Sequence, residues 1–255
     1  MEISLSLICK DEEDKIELWL KNHYNDVDEI CILDNGSTDK TKEIIRGFPD
    51  HDKKIKLWEL NHPHVPFSDS WQEWIPRNVA FWMCSKEWIL SIDADEFLDD
   101  GWRKKVGVYV NMNQKCDKFA FSAITFWGSF NTIRLNHEKD PGQWYGCNKG
   151  YLIKNDKWKS RWSLVNNHCL PLWEGKNLPT TQIKDIILFH YHYAFGIKEN
   201  DNRRGDIGFE ANPNWNFDVK GHYGDHAYEI VTKPFTGKHP QVIRNFLEEN
   251  NGKEI

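Results

Sequence analysis

The sequence predicts an α/β fold, with a mainly parallel sheet flanked by helices and a less regular second half. Three observations carry that expectation. Strand and helix signals alternate through the first hundred of the 255 residues, as right-handed βαβ units require. Two carboxylates, Asp93 and Asp95, stand where one of the strand-like runs ends. No internal repeat or low-complexity linker divides the chain, so one domain over residues 1–255 is the simplest organisation.

The elements follow in order. Ile3 to Cys9 (ISLSLIC) is a short strand. Glu12 to His23 carries Ile16, Trp19 and Leu20 at helical spacing. Glu29 to Leu33 is a second strand. Ser37-Thr38-Asp39 can cap a helix from Thr41 to Arg46, stopped by Gly47 and Pro49. Lys54 to Leu60 alternates as a third strand, and Asn61 to Ser70, with two prolines, is a loop. Trp71 to Cys84 is a helix with a break near Pro76, and Glu87 to Ile92 is a fourth strand. Further strands are expected over Lys118 to Trp127, Gly150 to Lys154 and Asp185 to Tyr193, with a helix from Gln241 to Asn250. Residues 1–100 then form a regular half of the domain and residues 101–255 a less regular one.

Composition narrows the function classes. Mean hydropathy is −0.71, and no apolar run approaches the ~20 residues of a membrane span. Met1-Glu2-Ile3-Ser4 leads straight into a strand without a basic leader, so no signal peptide is expected. The six cysteines are scattered with no CxxC pair, which reads as reduced thiols in a cytoplasmic protein. A net charge of −6 argues against nucleic acid as a bulk electrostatic partner. Thirteen tryptophans suit stacking on sugar rings, although core packing is the commoner use of any single one.

The sharpest chemical signal is Ser91-Ile92-Asp93-Ala94-Asp95-Glu96-Phe97. At period two Asp93 and Asp95 point to one side. They sit at a strand end, where open α/β sheets bind ligands. Like charges so close call for a cation, and hard oxygen ligands suit Mg²⁺ or Mn²⁺ together with diphosphate oxygens. The plain alternative is an acidic turn. A second signal, Ile32 to Asp39 (ILDNGSTD), runs from a strand into a tight turn and a capped helix. Asp34 or Asn35 there can meet a base or ribose edge, or simply form an Asx turn. Neither a G-x-G-x-x-G nor a P-loop pattern is present. A third signal is Phe189-His190-Tyr191-His192-Tyr193: histidines at i and i+2 of a strand share a face and can bind metal, or can be a structural pair. Lys198 and Arg203-Arg204, in a polar stretch, can clamp a diphosphate or line a solvated loop.

Lys10-Asp11-Glu12-Glu13, then LDNGSTDKT, then Pro76-Arg77-Asn78-Val79-Ala80, then WILSIDADEF together resemble the family-2 glycosyltransferases with the GT-A fold. The resemblance covers about the first hundred residues. It departs at Asp11, where Asn is usual, and at Asn35, where a second Asp often stands. It implies a nucleotide-sugar donor, foremost a UDP-sugar, in the sheet crevice. Asp34 and Asn35 would lie near the base, Arg77 near the nucleotide, Asp93 near the ribose and Asp95 on the metal. It also implies that a late histidine, His190 or His192, completes the metal shell. Transfer with inversion to a glycan, lipid-linked or other hydroxyl acceptor then needs a general base. His168, in Val165 to Leu170, has Cys169 where the family places an acid. It stands with Glu174 as the favoured base, ahead of Glu138 and Asp140. Three rivals remain: a non-catalytic nucleotide-sugar or glycan-binding module, a nucleotidyltransferase, and a sugar transferase acting on modified DNA bases.

Overall fold

A computed structural model describes residues 1–60, 74–126, 128–135, 148–156, 160–165, 168–173, 180–191, 194–195 and 231–250. The first half runs β1 (Ile3–Cys9), α1 (Ile16–His23), β2 (Glu29–Asp34), α2 (Thr41–Gly47), β3 (Ile55–Glu59), α3 (Trp74–Met83), β4 (Trp88–Ser91), β5 (Glu96–Leu98) and α4 (Trp102–Met112). Then come β6 (Lys118–Thr125), β7 (Thr132–Leu135), β8 (Asn148–Lys154), β9 (Ser160–Val165), β10 (His168–Trp173), β11 (Thr181–His190), β12 (Val231–Pro234) and α5 (Gln241–Glu249).

One eight-stranded sheet, in the order β3-β2-β1-β4-β8-β6-β11-β5, takes strands from both halves of the sequence. β3, β2, β1 and β4 are mutually parallel, and β6 and β11 are parallel to each other. β8 runs antiparallel between β4 and β6, and β5 runs antiparallel beside β11. The expected α/β, mainly parallel sheet flanked by helices is therefore present. Two hairpin-like pairs, β9 with β10 and β7 with β12, lie outside it. The chain order steps outward from β1 to β3 and then crosses back to β4. The carboxyl ends of β1 and β4 thus flank a topological switch point, where an α/β sheet leaves a crevice.

Both faces of β1, β2 and β4 are buried, whereas the edge strand β3 is largely open. Ile3, Leu5 and Leu7 of β1, with Ile30, Ile32 and Leu90, pack against Ile16, Trp19 and Leu20 of α1. Cys31 and Ile89 point the other way, against Phe81 and Cys84 at the end of α3. Each such fully buried large side chain is worth about 1.5–3 kcal/mol of transfer free energy. α1 begins at Ile16 rather than Glu12, because Glu12 to Lys15 form a turn in which both Lys15 N and Ile16 N donate to Glu12 O. Pro76 does not break α3. It lies in the first turn, where a missing N–H costs nothing. β11 starts at Thr181, four residues before the expected Asp185, and accommodates a bulge between Ile183 and Ile187.

Candidate active site

The loops after β1 and β2 are tied to each other. Asp11, held at φ 54°, accepts Thr38 N at 2.7 Å on Oδ1 and donates its own N–H to Ser37 Oγ at 2.9 Å. Glu12 N donates to Thr41 Oγ1 at 2.7 Å, Glu13 N to Asp39 Oδ2 at 3.1 Å, and Lys40 N to Glu13 Oε2 at 3.1 Å. Asp39 Oδ1 also accepts Thr41 N at 2.9 Å, across Lys40, which is the N-cap of α2. The KDEE and DNGSTDKT segments therefore form one rigid lip along the carboxyl edge of the sheet.

Asp34 stabilises that lip from within. Its carboxylate accepts Gly36 N at 3.1 Å, Ser37 N at 2.9 Å and the Ser37 hydroxyl. Gly36, at φ 82°, supplies the left-handed turn that this requires. Asp34 is fully buried and Asn35 nearly so, with Asn35 N donating to Cys9 O at 2.8 Å. The Asp34 carboxylate thus forms the Asx turn that the sequence left open as an alternative. Burial pushes the Cys9 thiol pKa well up, and the carboxylates of Asp34, Glu12, Asp39 and Asp11 push it further.

Asp93 and Asp95 do not continue β4 at period two, as the sequence reading has it. β4 ends at Ser91 and a turn follows, closed by Glu96 N donating to Asp93 O at 3.0 Å and by Asp93 N donating to Glu96 Oε2 at 2.9 Å. The reciprocal bonds swing the two aspartates to different partners. Asp93 Oδ1 accepts Arg77 Nη2 at 3.0 Å. Asp95 Oδ2 lies 3.4 Å from His190 Nε2, and Tyr191 N donates to Asp95 O at 2.8 Å. The pairing of β5 with β11 sets this meeting, because His190 stands opposite Glu96. Glu96 was missed in the sequence, although the D-x-x-E spacing of a capping box was there to find it.

The structure thus brings Arg77, Asp93, Asp95 and His190 to the carboxyl edge, beside the Asp34–Asn35 turn. Of His168, at the start of β10, the backbone alone is described. Glu138, Asp140, Glu174, His192, Lys198, Arg203 and Arg204 lie outside the described residues.

A divalent ion fits the Asp95–His190 pair. Two ligands each about 2.1 Å from one ion stand roughly 3.0–3.4 Å apart at ordinary coordination angles, and Oδ2 and Nε2 are 3.4 Å apart. No group of three or more His, Cys, Asp or Glu residues suited to an ion occurs among the described residues. The remaining positions of the ion would fall to ligand oxygens and water, as is common for Mg²⁺.

Arg77 and Asp93 thus pair just beyond β4, while Asp95 meets His190 at the carboxyl end of β11. Residues 7–115 match the family model described as Glycosyl transferase family 2, which this chain resembles. The SPbeta prophage-derived glycosyltransferase SunS of Bacillus subtilis is 32% identical over 225 residues, covering 84% of this chain and 47% of that protein. An uncharacterized glycosyltransferase of Rickettsia prowazekii is 25% identical over 166 residues, or 65% of this chain and 50% of that one. The chain therefore spans about half the length of these curated relatives. Among solved structures, S. aureus TarS 1-349 in complex with UDP-GlcNAc is 21% identical, with a TM-score of 0.42 over 50% of this chain and 36% of that one. The Pyrobaculum calidifontis mannosyltransferase in complex with GDP-Man and Mn²⁺ is 16% identical, with a TM-score of 0.41 over 60% of this chain and 44% of that one. No helix among the described residues is long and apolar enough to cross a membrane.

Proposed function

We propose that this chain is a metal-dependent glycosyltransferase that moves a sugar from a nucleotide-sugar donor, a UDP-sugar, to an acceptor hydroxyl with inversion. The observation that carries the reading is the convergence of Asp95 Oδ2 and His190 Nε2 at 3.4 Å on the carboxyl edge of the sheet. The glycosyltransferase names of its relatives support it.

Asp95 and His190 would hold Mn²⁺ or Mg²⁺, which when bound offsets the charge that grows on the departing diphosphate. The residues around it position and exclude. The Asp34 turn fixes Asn35 at the base side, while Arg77 holds Asp93 at the ribose side. The Asp93–Glu96 turn keeps the Asp95 carboxylate aimed at His190. His168 or Glu174 takes the acceptor proton, and Arg203 and Arg204 close on the diphosphate. Cys9, Cys31, Cys84 and Cys116 are free thiols, which suits the cytoplasm.

Calorimetric titration with UDP, with and without Mn²⁺, tests the reading. The wild-type chain binds UDP only weakly without the ion. Asp95→Ala abolishes the Mn²⁺ dependence and leaves the thermal midpoint nearly unchanged, and His190→Ala weakens it. UDP affinity that ignores Mn²⁺ in every variant rejects the metal assignment.

A further inference from the structure

We propose that Thr125 is a positioning residue for the metal pair, its hydroxyl holding the His190 ring so that Nε2 faces the ion shared with Asp95. This rests on the reading of Asp95 and His190 given above. Thr125 ends β6 and stands directly opposite His190 in the parallel register of β6 and β11. The next residue fastens the same point, with Phe126 N donating to His190 O at 2.8 Å. Thr125 is 2% exposed and His190 3%.

Each imidazole nitrogen faces an oxygen. Nδ1 lies 3.4 Å from Thr125 Oγ1, and Nε2 lies 3.4 Å from Asp95 Oδ2. A neutral imidazole carries one hydrogen between two nitrogens. With that hydrogen directed from Nδ1 to Thr125 Oγ1, the Nε2 lone pair is left for a cation. Partners of this kind, one bond behind a metal ligand, set the tautomer and orientation of the ring. A hydroxyl suits the position because it is small and accepts a hydrogen bond. The branched Cβ of threonine restricts χ1, so the oxygen direction is fixed by the backbone of β6. At this depth no bulk water replaces a lost partner, and a buried imidazole N–H facing hydrocarbon carries its full desolvation cost.

The test uses the full chain with Mn²⁺ and UDP, following bound Mn²⁺ by the loss of the free-ion electron paramagnetic resonance signal. Thermal midpoints are measured in parallel. Thr125→Val keeps the shape and removes the hydroxyl, Thr125→Ser restores it, and Asp95→Ala is the reference. The expected result is a loss of Mn²⁺ affinity of about tenfold or more in Thr125→Val, the range for partners behind a ligand. Thr125→Ser recovers most of that loss, and Asp95→Ala binds no Mn²⁺ at the site. Wild-type affinity in Thr125→Val, or equal losses in Val and Ser, overturns the role of the hydroxyl while Asp95→Ala still reports the site. Wild-type Mn²⁺ binding in Asp95→Ala instead takes down the metal reading itself. Should Thr125→Val not fold, Thr125→Ala against Thr125→Ser makes the same comparison.

Discussion

Arg77 and Asp93 form an ion pair at 3.0 Å whose members are 14% and 39% exposed, so each remains within reach of a ligand. A pair open to water contributes only about 0–1 kcal/mol to stability. Its value lies in holding Asp93 in one orientation, which a planar guanidinium does better than an ammonium. Arg77→Ala is therefore expected to weaken UDP binding by roughly tenfold, while the thermal midpoint moves little for so weak a stabilising pair. Arg77→Lys should fall between. Calorimetry beside thermal unfolding checks this, and unchanged affinity with a large drop in midpoint makes the pair structural. These residues were legible in the sequence because their types and order carry a family pattern. Their partners were not. Period two failed for Asp93 and Asp95 because reciprocal bonds between Asp93 and Glu96 make a turn where extended chain was assumed. Thr125 carried no sequence signal at all, since its role comes from register with a strand far along the chain. Of the tryptophans, Trp19, Trp88 and Trp102 are core residues, the commoner use expected, whereas Trp58 and Trp82 are exposed.

Among the elements, β8 depends on one residue. Gly150 sits at φ 59° where β8 bulges against β6, pairing shifting between Ala120 and Phe121. A Cβ there would come within 3.0 Å of Ile92 Cγ2 and 3.3 Å of both Leu188 and Phe121. Strained backbone and overpacking act together, so Gly150→Ala should cost about 2–4 kcal/mol. The urea midpoint measures it, and a change below experimental error would show that β8 can shift away from Ile92. The alternating β-α elements of the first half were readable because their apolar spacing is unmixed. α4 was not expected. Val106, Val108 and Val110 alternate as in a strand, and only the burial of Trp102 and Val106 at i and i+4, with Val108 exposed, reveals the helix. The pairs β9–β10 and β7–β12 leave the main sheet, and no period in the sequence marks that departure.

For the whole molecule, acid stability follows from buried ionisable side chains. Burial pulls the pKa of His23 down to about 3, against the opposing bond between its Nδ1 and Trp19 O. The unfolded chain, with an ordinary histidine, takes up a proton below about 6.5 that the folded chain refuses. Stability is thus complete above that value and falls as pH drops toward 3. The slope is about 1.4 kcal/mol per pH unit for each such proton. His239, lowered to about 4 chiefly by burial, adds to the same window. Glu29 acts lower. Burial raises its pKa, but hydrogen bonds from Lys56, Ser4 and Ser85 outweigh that and hold it at about 2. Its contribution is present above the ordinary carboxylate range and is lost as pH falls toward 2. Denaturant midpoints from pH 7 to 4.5 should decline in the wild type and decline less steeply, by about one proton, in His23→Asn. An unchanged slope in that variant rejects the assignment. The sheet order has a further consequence, for synthesis. β5 lies against β11 and no other strand of the sheet. Until Thr181–His190 leaves the ribosome, β5 lacks its partner strand and Asp95 lacks the imidazole of His190. The nascent chain can lay down the β1-to-β4 scaffold, with the Arg77–Asp93 pair in place, well before then. The Asp95–His190 contact forms only when a late strand arrives, so a chain cut short before His190 keeps the β1-to-β4 scaffold and lacks the imidazole proposed to hold the ion.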